Sequence, residues 1–333
     1  MVTRIAINGL GRIGRCITRA IFENDRADIE LVALNGPAKL EDHAHLLKYD
    51  SVHGQFPYDI QVSGDSLVIA GRTIPVYRER DPNNLSWEAH DVDIVLECTG
   101  KFTKRDDAAV HLKSGAKKVI VSAPCDGADS TIVYGVNNHQ LESSHDVISI
   151  GSCTTNALAP IAKVLGDNIG IESGFMTTIH AYTNDQNVLD GSHKDPRRAR
   201  ACAMSMIPTS TGAAKAIGLV LPELEGKLAG SAVRVPTPNV SLVDLSFMAS
   251  RDTSAEEINS LMSKAANNEL KGVLAIAPTK LVSIDFNHNS HSSIFDPYET
   301  KVVNNKFCRV ISWYDNEWGF SVRMLDVASM MKV

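Results

Sequence analysis

The segment Asn8-Gly9-Leu10-Gly11-Arg12-Ile13-Gly14 constrains the fold more than any other stretch of the chain. It follows an apolar run at 4–8 that reads as a short strand. It opens a segment, 12–23, in which Ile13, Cys16, Ile17, Ala20 and Ile21 recur at helical spacing. Glycines at G-x-G-x-x-G spacing between strand and helix permit a tight turn (Gly9), close approach of backbone to a pyrophosphate (Gly11) and packing of the helix on the strand (Gly14). The helix start then offers unpaired N–H groups and a partial positive charge to phosphates. A glycine-rich turn without a ligand is the other reading of the bare pattern. The flanking strand and helix, and a second β-branched run at 29–34, favour a dinucleotide site.

Strand signals continue at 92–98, 118–122 and 146–150, and their alternation with helical segments predicts a mostly parallel sheet covered by helices on both faces. The character changes after Ser152. A helical stretch at 158–165 is followed by β-rich runs at 174–180, 231–235 and 240–249, with a polar, Arg-rich segment at 184–200 between them and an amphipathic stretch at 319–332. The 333 residues exceed what one simple core holds and suffice for two domains. No repeat, low-complexity tract or Pro/Gly-rich linker separates the halves, so two interlocked domains are expected.

Composition excludes several function classes. The net charge of −6, with no basic-aromatic stripe, gives no field for nucleic acid or an anionic membrane. No apolar run reaches the roughly 18–20 residues of a membrane span. The N-terminus shows no leader pattern, so a cytoplasmic protein is expected. Six cysteines are scattered without a C-x-x-C pair, which predicts reduced thiols and no metal site.

At the end of the second strand a dinucleotide site selective for NAD usually carries a carboxylate for the ribose 2′-hydroxyl. Here the strand ends Ala33-Leu34-Asn35-Gly36-Pro37. A carboxylate would repel the 2′-phosphate of NADP, so Gly36 removes a filter, and NADP is admitted alongside NAD. In the alternative, Gly36 only shapes a turn and other contacts keep NAD preferred.

Cys153 lies in Gly151-Ser152-Cys153-Thr154-Thr155-Asn156, between a strand and an apolar helix, where the helix N-terminus favours thiolate. His180, in Thr177-Thr178-Ile179-His180-Ala181-Tyr182-Thr183-Asn184-Asp185, is the candidate partner. Arg234 interrupts an apolar strand, and a cation there needs an anionic partner. Arg198, within Arg197-Arg198-Ala199-Arg200, reads by itself as a solvated charge.

The motifs S-C-T-T-N, H-A-Y-T-N-D-Q, P-T-S-T-G-A-A-K-A, R-V-P-T-P-N-V-S and W-Y-D-N-E-W-G, in this order over essentially the whole chain, resemble the phosphorylating glyceraldehyde-3-phosphate dehydrogenases. The resemblance implies an α/β fold: a Rossmann-type dinucleotide-binding domain over 1–151, completed by a C-terminal helix at 317–333, and an α+β catalytic domain with a large mixed sheet over 152–316. It implies Cys153 as nucleophile, with His180 lowering the thiol pKa as an ion pair and then acting as base. By resemblance the phosphate of glyceraldehyde 3-phosphate falls to Thr183, Arg198 and Arg234. Attacking inorganic phosphate falls to Ser152, Thr154, Thr211 and Gly212. Arg12, Ile13, Gly36, Arg80, Thr99 and Ser122 join the glycines at the dinucleotide, with Asn184 and Asn316 near the nicotinamide. A cytoplasmic homotetramer serving glycolysis and gluconeogenesis is implied, with the segment 184–200 meeting neighbouring subunits.

Three positions depart from the family pattern. Gly36 replaces aspartate, Ile150-Gly151 stands where Asn-Ala is common and threatens to loosen the turn aiming Cys153, and Phe320 replaces a frequent tyrosine. Two other functions fit the fold. One is an erythrose-4-phosphate dehydrogenase, which releases acid by hydrolysis; T-N-D-Q and S-T-G-A-A-K-A favour the phosphorolytic enzyme. The other is a catalytically silent dinucleotide-binding regulator, which would need neither Cys153 nor His180.

Overall fold

A computed structural model describes residues 2–333, which divide into two compact units. The first unit holds the chain up to 132 together with 138–151 and 321–333; the second holds 133–137 and 152–320.

In the first unit β1 (Thr3–Asn8) turns into α1 (Arg12–Glu23), followed by β2 (Ile29–Asn35) and α2 (Leu40–Lys48). A short pair, β3 (Tyr49–Asp50) and β4 (Gly54–Gln55), precedes the meander β5 (Ile60–Ser63), β6 (Ser66–Ile69) and β7 (Arg72–Tyr77). Then come β8 (Ile94–Glu97), the one-turn helices α3 (Arg105–Ala108) and α4 (Val110–Lys113), and β9 (Lys118–Val121), β10 (Ser130–Thr131) and β11 (Val147–Ser149). The nine-stranded sheet runs β10-β11-β9-β8-β1-β2-β7-β6-β5. It is parallel from β10 to β7, and only the β5–β6–β7 meander is antiparallel. Every residue of β8 and β9 is buried. This is the physical meaning of their unbroken apolar runs, since a parallel sheet is covered on both faces. The chain leaves β1 for β2 on one side and returns to β8 on the other. That creates a crevice beyond the C-terminal ends of β1 and β8, the switch point where open α/β sheets take ligands.

The second unit opens with α5 (Cys153–Ile169), then β12 (Ile171–Ala181), β13 (Ile207–Thr209), α6 (Ala213–Val220), β14 (Leu228–Val235) and β15 (Ser241–Ala249). It continues with α7 (Ala255–Asn267), β16 (Leu274–Ile276), β17 (Ser293–Val303) and β18 (Phe307–Tyr314); α8 (Trp318–Met330) carries the chain back to the first unit from Ser321. The seven strands run β13-β14-β12-β15-β18-β17-β16, parallel at β12/β14 and β16/β17 and antiparallel elsewhere. Burial alternates strictly along β15, whose Val243, Leu245 and Phe247 enter one core with residues of α5, α6 and α7. One face of this mixed sheet is packed, which explains period-2 patterning here and not in the first unit. The segment 182–206, between β12 and β13, contains turns but no helix or strand.

The helix expected at 158–165 is longer and begins at Cys153. Ser152 caps it, its hydroxyl accepting from Thr155 N at 3.1 Å, and it continues through Pro160. The nucleophile candidate therefore occupies the first helical position.

Candidate active site

At the glycine turn, Gly9 has φ +105°, and a Cβ there would lie 2.7 Å from Thr99 N; a Cβ on Gly14 would lie 2.0 Å from Gly9 O. No other residue fits either position without moving backbone. Gly11, the N-cap of α1, faces open space and supplies no side-chain cap. The helix start thus points into a cavity of ≈ 360 Å³. Of the sequence-predicted cofactor residues, Gly9, Gly11, Arg80 and Thr99 line this cavity. Arg12 and Ile13 form the first turn of α1, and Ser122 follows β9. The Arg12 guanidinium is turned to Asp50, pairing with both carboxylate oxygens. Burial works to raise the Asp50 pKa, but Arg12 and the N–H groups of His53 and Val52 outweigh it and bring it to about 2.

Beneath the cavity runs a buried polar network that the sequence reading missed. Asn8 Nδ2 donates to Glu97 Oε2 at 2.5 Å, and His111 Nε2 meets the same oxygen at 3.0 Å. Trp87 Nε1 donates to His111 Nδ1 at 3.1 Å. An indole can only donate, so Nδ1 accepts and the imidazole proton lies on Nε2, toward Glu97. The other Glu97 oxygen accepts from Thr99 N at 2.7 Å and from the Thr99 hydroxyl. Asn35 Nδ2 donates to Asn8 Oδ1 at 2.7 Å, while Asn35 Oδ1 accepts from Glu79 N at 2.9 Å. The signal was present in the letters: β1, β2 and β8 are apolar runs that each end in one polar residue, Asn8, Asn35 and Glu97.

In the second unit, β12 and β14 are parallel neighbours in a register that pairs His180 with Arg234. Cys153 Sγ lies 3.4 Å from His180 Nε2. His180 Nδ1 is 2.7 Å from Ala181 O and 2.8 Å from Arg234 Nη1, which also donates to Ala181 O at 3.0 Å. Burial, then the Arg234 charge, pulls the His180 pKa down to about 3; burial raises the Cys153 thiol, with Arg234 opposing. Neither group carries charge easily alone. Ionised together, thiolate and imidazolium at this separation attract by about 5 kcal/mol at an effective dielectric of about 20. The thiol is raised by burial, where the resemblance implies that His180 lowers it, and the 3.4 Å contact places the two groups to exchange a proton.

Tyr314 is a further residue the sequence reading did not single out. Its hydroxyl bridges Thr154 Oγ1 (2.9 Å) and Thr178 Oγ1 (2.8 Å), and its ring packs edge-on to His180 with centroids 5.9 Å apart. The hydroxyl of Thr154 is thus turned to Tyr314. Arg198 pairs with Asp185 and donates from Nε to Thr209 Oγ1 at 3.0 Å, an anchored cation and not a solvated one. Arg234 Nε is buried with no hydrogen-bond partner. Gly212 caps α6, and Thr211 Oγ1 accepts from Ala213 N at 3.2 Å. Thr183 N donates to Gln186 Oε1 at 3.2 Å, and Asn184 is exposed. Asn316 Oδ1 accepts from Ser241 Oγ, which in turn accepts from Ala181 N, the residue after His180. The turn before Ser152 is firm: Gly151 has φ +68°, and its N–H donates to Ser149 Oγ at 2.9 Å.

Comparison with known proteins adds the family. Residues 3–105 match the NAD binding domain of glyceraldehyde 3-phosphate dehydrogenase, and 152–316 match its C-terminal domain. The chain is 59% identical to a glyceraldehyde-3-phosphate dehydrogenase from Xanthobacter flavus and 58% identical to one from Cereibacter sphaeroides, with 99% of each chain covered. Against that of Geobacillus stearothermophilus the identity is 54%, over 99% of this chain and 98% of the relative. With a glycine turn at the switch point of one unit, a thiol–imidazole pair in the other, and full-length likeness to these enzymes, this chain belongs to the glyceraldehyde 3-phosphate dehydrogenase family.

Proposed function

We propose that the chain is a phosphorylating glyceraldehyde-3-phosphate dehydrogenase that converts glyceraldehyde 3-phosphate, inorganic phosphate and NAD to 1,3-bisphosphoglycerate. The observation that carries this reading is the 3.4 Å contact between Cys153 Sγ and His180 Nε2, backed by Arg234.

The open Gly11, the closely packed Gly9 and Gly14 and the uncapped start of α1 suit a pyrophosphate, and support assigning Gly9, Gly11, Arg12, Ile13 and Gly14 to it. Arg80 joins the cofactor site, Thr99 and Ser122 belong near the ribose and nicotinamide, and Asn184 and Asn316 near the nicotinamide, with Asn316 suited to its carboxamide. When bound, NAD supplies a two-electron acceptor at its nicotinamide ring.

The chain's own groups do the rest. Cys153 sulfur bonds to the aldehyde carbon, and the thiol proton passes through His180 Nε2 to the former carbonyl oxygen, giving a thiohemiacetal. The oxyanion that develops on the way is met by the Cys153 N–H and the His180 side chain. His180 then takes the hydroxyl proton while the carbon loses hydride, leaving a thioester on Cys153. An oxygen of inorganic phosphate bonds to the thioester carbon, the C–S bond breaks, and the sulfur leaves as thiolate. Arg234, with its unpaired Nε, Arg198 and Thr183 hold the substrate phosphate; Ser152, Thr154, Thr211 and Gly212 hold the attacking one.

A homotetramer in the cytoplasm completes the proposal. Val188, Leu189, Met204 and Met206, all in 182–206, are 74–83% exposed, apolar surface suited to a second copy of the chain. Among the described residues no helix is long and apolar enough to cross a membrane.

The test is NADH formation from glyceraldehyde 3-phosphate at varied phosphate. The expected result is a rate that saturates with phosphate and collapses without it. Undiminished turnover in phosphate-free buffer would move the chain to the hydrolysing reaction described for erythrose 4-phosphate.

A further inference from the structure

Where the family pattern has aspartate, at Gly36, the structure shows what fills the vacated space. A Cβ on Gly36 would lie 2.6 Å from Nε2 and 2.7 Å from Cε1 of His43, and 3.2 Å from Leu10 Cβ. His43, on the first turns of α2, is only 6% exposed and lines the dinucleotide cavity together with Asn35 and Pro37. Its imidazole stands where a side chain at 36 would begin. The two positions therefore compete for space: a side chain at 36 requires the tip of the His43 ring to shift from where it stands.

The imidazole is not explained by packing alone. His43 Nε2 is a buried ring nitrogen that meets no partner in good hydrogen-bond geometry, and the Gly36 carbonyl is the backbone acceptor near the ring. A buried nitrogen without a well-aligned partner is destabilising, and a ligand group can remove that cost. The carboxylate it replaces is the one that, in NAD-selective sites, binds the ribose 2′-hydroxyl. Burial lowers the His43 pKa, opposed by the Gly36 carbonyl, while Arg15 lowers and Asp42 raises it further, so the ring is neutral at pH 7. A neutral imidazole can accept a hydrogen bond from a 2′-hydroxyl, or donate one to it, without repelling a 2′-phosphate.

We propose that His43 is the cofactor-specificity residue of this chain, its ring hydrogen-bonding the adenosine ribose 2′-hydroxyl in place of the absent carboxylate. This rests on the dinucleotide reading of the Gly9–Gly14 cavity. It makes Gly36 and His43 one unit of recognition, tuned for NAD without strong rejection of NADP.

Equilibrium titration of the protein with NADH and NADPH, followed by cofactor fluorescence, tests the proposal without any turnover. The wild type is expected to bind both, with less than about a hundredfold between them. His43→Ala is expected to weaken NADH by about tenfold, the scale of one hydrogen bond, and NADPH by less than threefold. His43→Gln, which keeps a polar group, guards against a folding defect and is expected to retain most of the NADH affinity. Gly36→Asp alone is expected to weaken both cofactors at least tenfold because it displaces the ring. Gly36→Asp with His43→Ala is expected to recover NADH binding and to discriminate against NADPH more than a hundredfold. Unchanged NADH affinity in His43→Ala, or additive effects in the double variant, would overturn the role of His43 while leaving the dinucleotide site intact. Failure of the wild type to bind either cofactor would instead remove the reading beneath it.

Discussion

At the scale of single residues the chemistry is concentrated in one contact. In the proposed mechanism Cys153 is the nucleophile that forms a covalent intermediate, so Cys153→Ser is expected to abolish aldehyde oxidation. NADH binding measured by fluorescence should stay within about threefold of wild type; retained oxidation in that variant would refute covalent catalysis by this sulfur. His180 lies 3.4 Å from that sulfur. His180→Asn is expected to cost roughly 10²–10⁴-fold in turnover, the range for loss of a positioned acid–base group, as measured in single-turnover experiments. The closeness of the two residues was legible from sequence because the motifs around them are long and specific. Tyr314, Glu97 and His111 were not. A buried tyrosine at a strand end, or an acid closing an apolar strand, has no sequence signature that separates a ligand shell from ordinary core. Only the hydrogen bonds to Thr154, Thr178, Asn8 and Trp87 reveal what these side chains do.

Among the elements, legibility followed the strength of the hydrophobic period. β1, β2, β8 and β9 were readable because a parallel sheet buries its strands on both faces and writes largely apolar runs, and α1 because its apolar residues recur at helical spacing. The meander β5–β7 and helix α2 were not, because half-exposed edge strands and a helix with only Leu40, His43 and Leu47 buried leave a weak period. The start of α5 was read from the position of Cys153 between strand and helix and not from a period, because Thr154, Thr155 and Asn156 are buried polar residues and Pro160 interrupts the apolar stretch. One pairing between elements has a pH signature. Arg12 at the head of α1 is tied to Asp50 on β3, whose pKa falls from 3.8 to about 2. A depressed carboxylate stabilises the fold above its unfolded pKa and loses that contribution as pH falls through the folded value. Asp50→Asn is therefore expected to lower unfolding free energy by about 2 kcal/mol near pH 6, with the gap to wild type shrinking toward zero as pH approaches 2. Urea titrations at several pH values measure this. A gap that stayed constant with pH would remove the ion pair as its cause.

For the molecule as a whole, the net charge of −6 and the absence of a basic stripe leave small anions, held in local cationic pockets, as the ligands that charge can select. The proposed assembly is the property least visible in the letters, because the segment 184–200 reads as polar, while Val188 and Leu189 within it and Met204 and Met206 beyond it are exposed. A double variant, Met204→Glu with Met206→Glu, is expected to sediment as species smaller than the tetramer proposed for the wild type. Wild-type sedimentation in that variant would take these side chains out of the interface. The central claim, that oxidation passes through an acyl thioester on one cysteine, is open to direct measurement. The intact enzyme is mixed with NAD and glyceraldehyde 3-phosphate in phosphate-free buffer, quenched in acid, and mapped by mass spectrometry. A 3-phosphoglyceroyl adduct is expected on the peptide containing Cys153, discharged when phosphate is added before the quench; an adduct confined to another cysteine, or turnover with no adduct at any time, would contradict the thioester on Cys153.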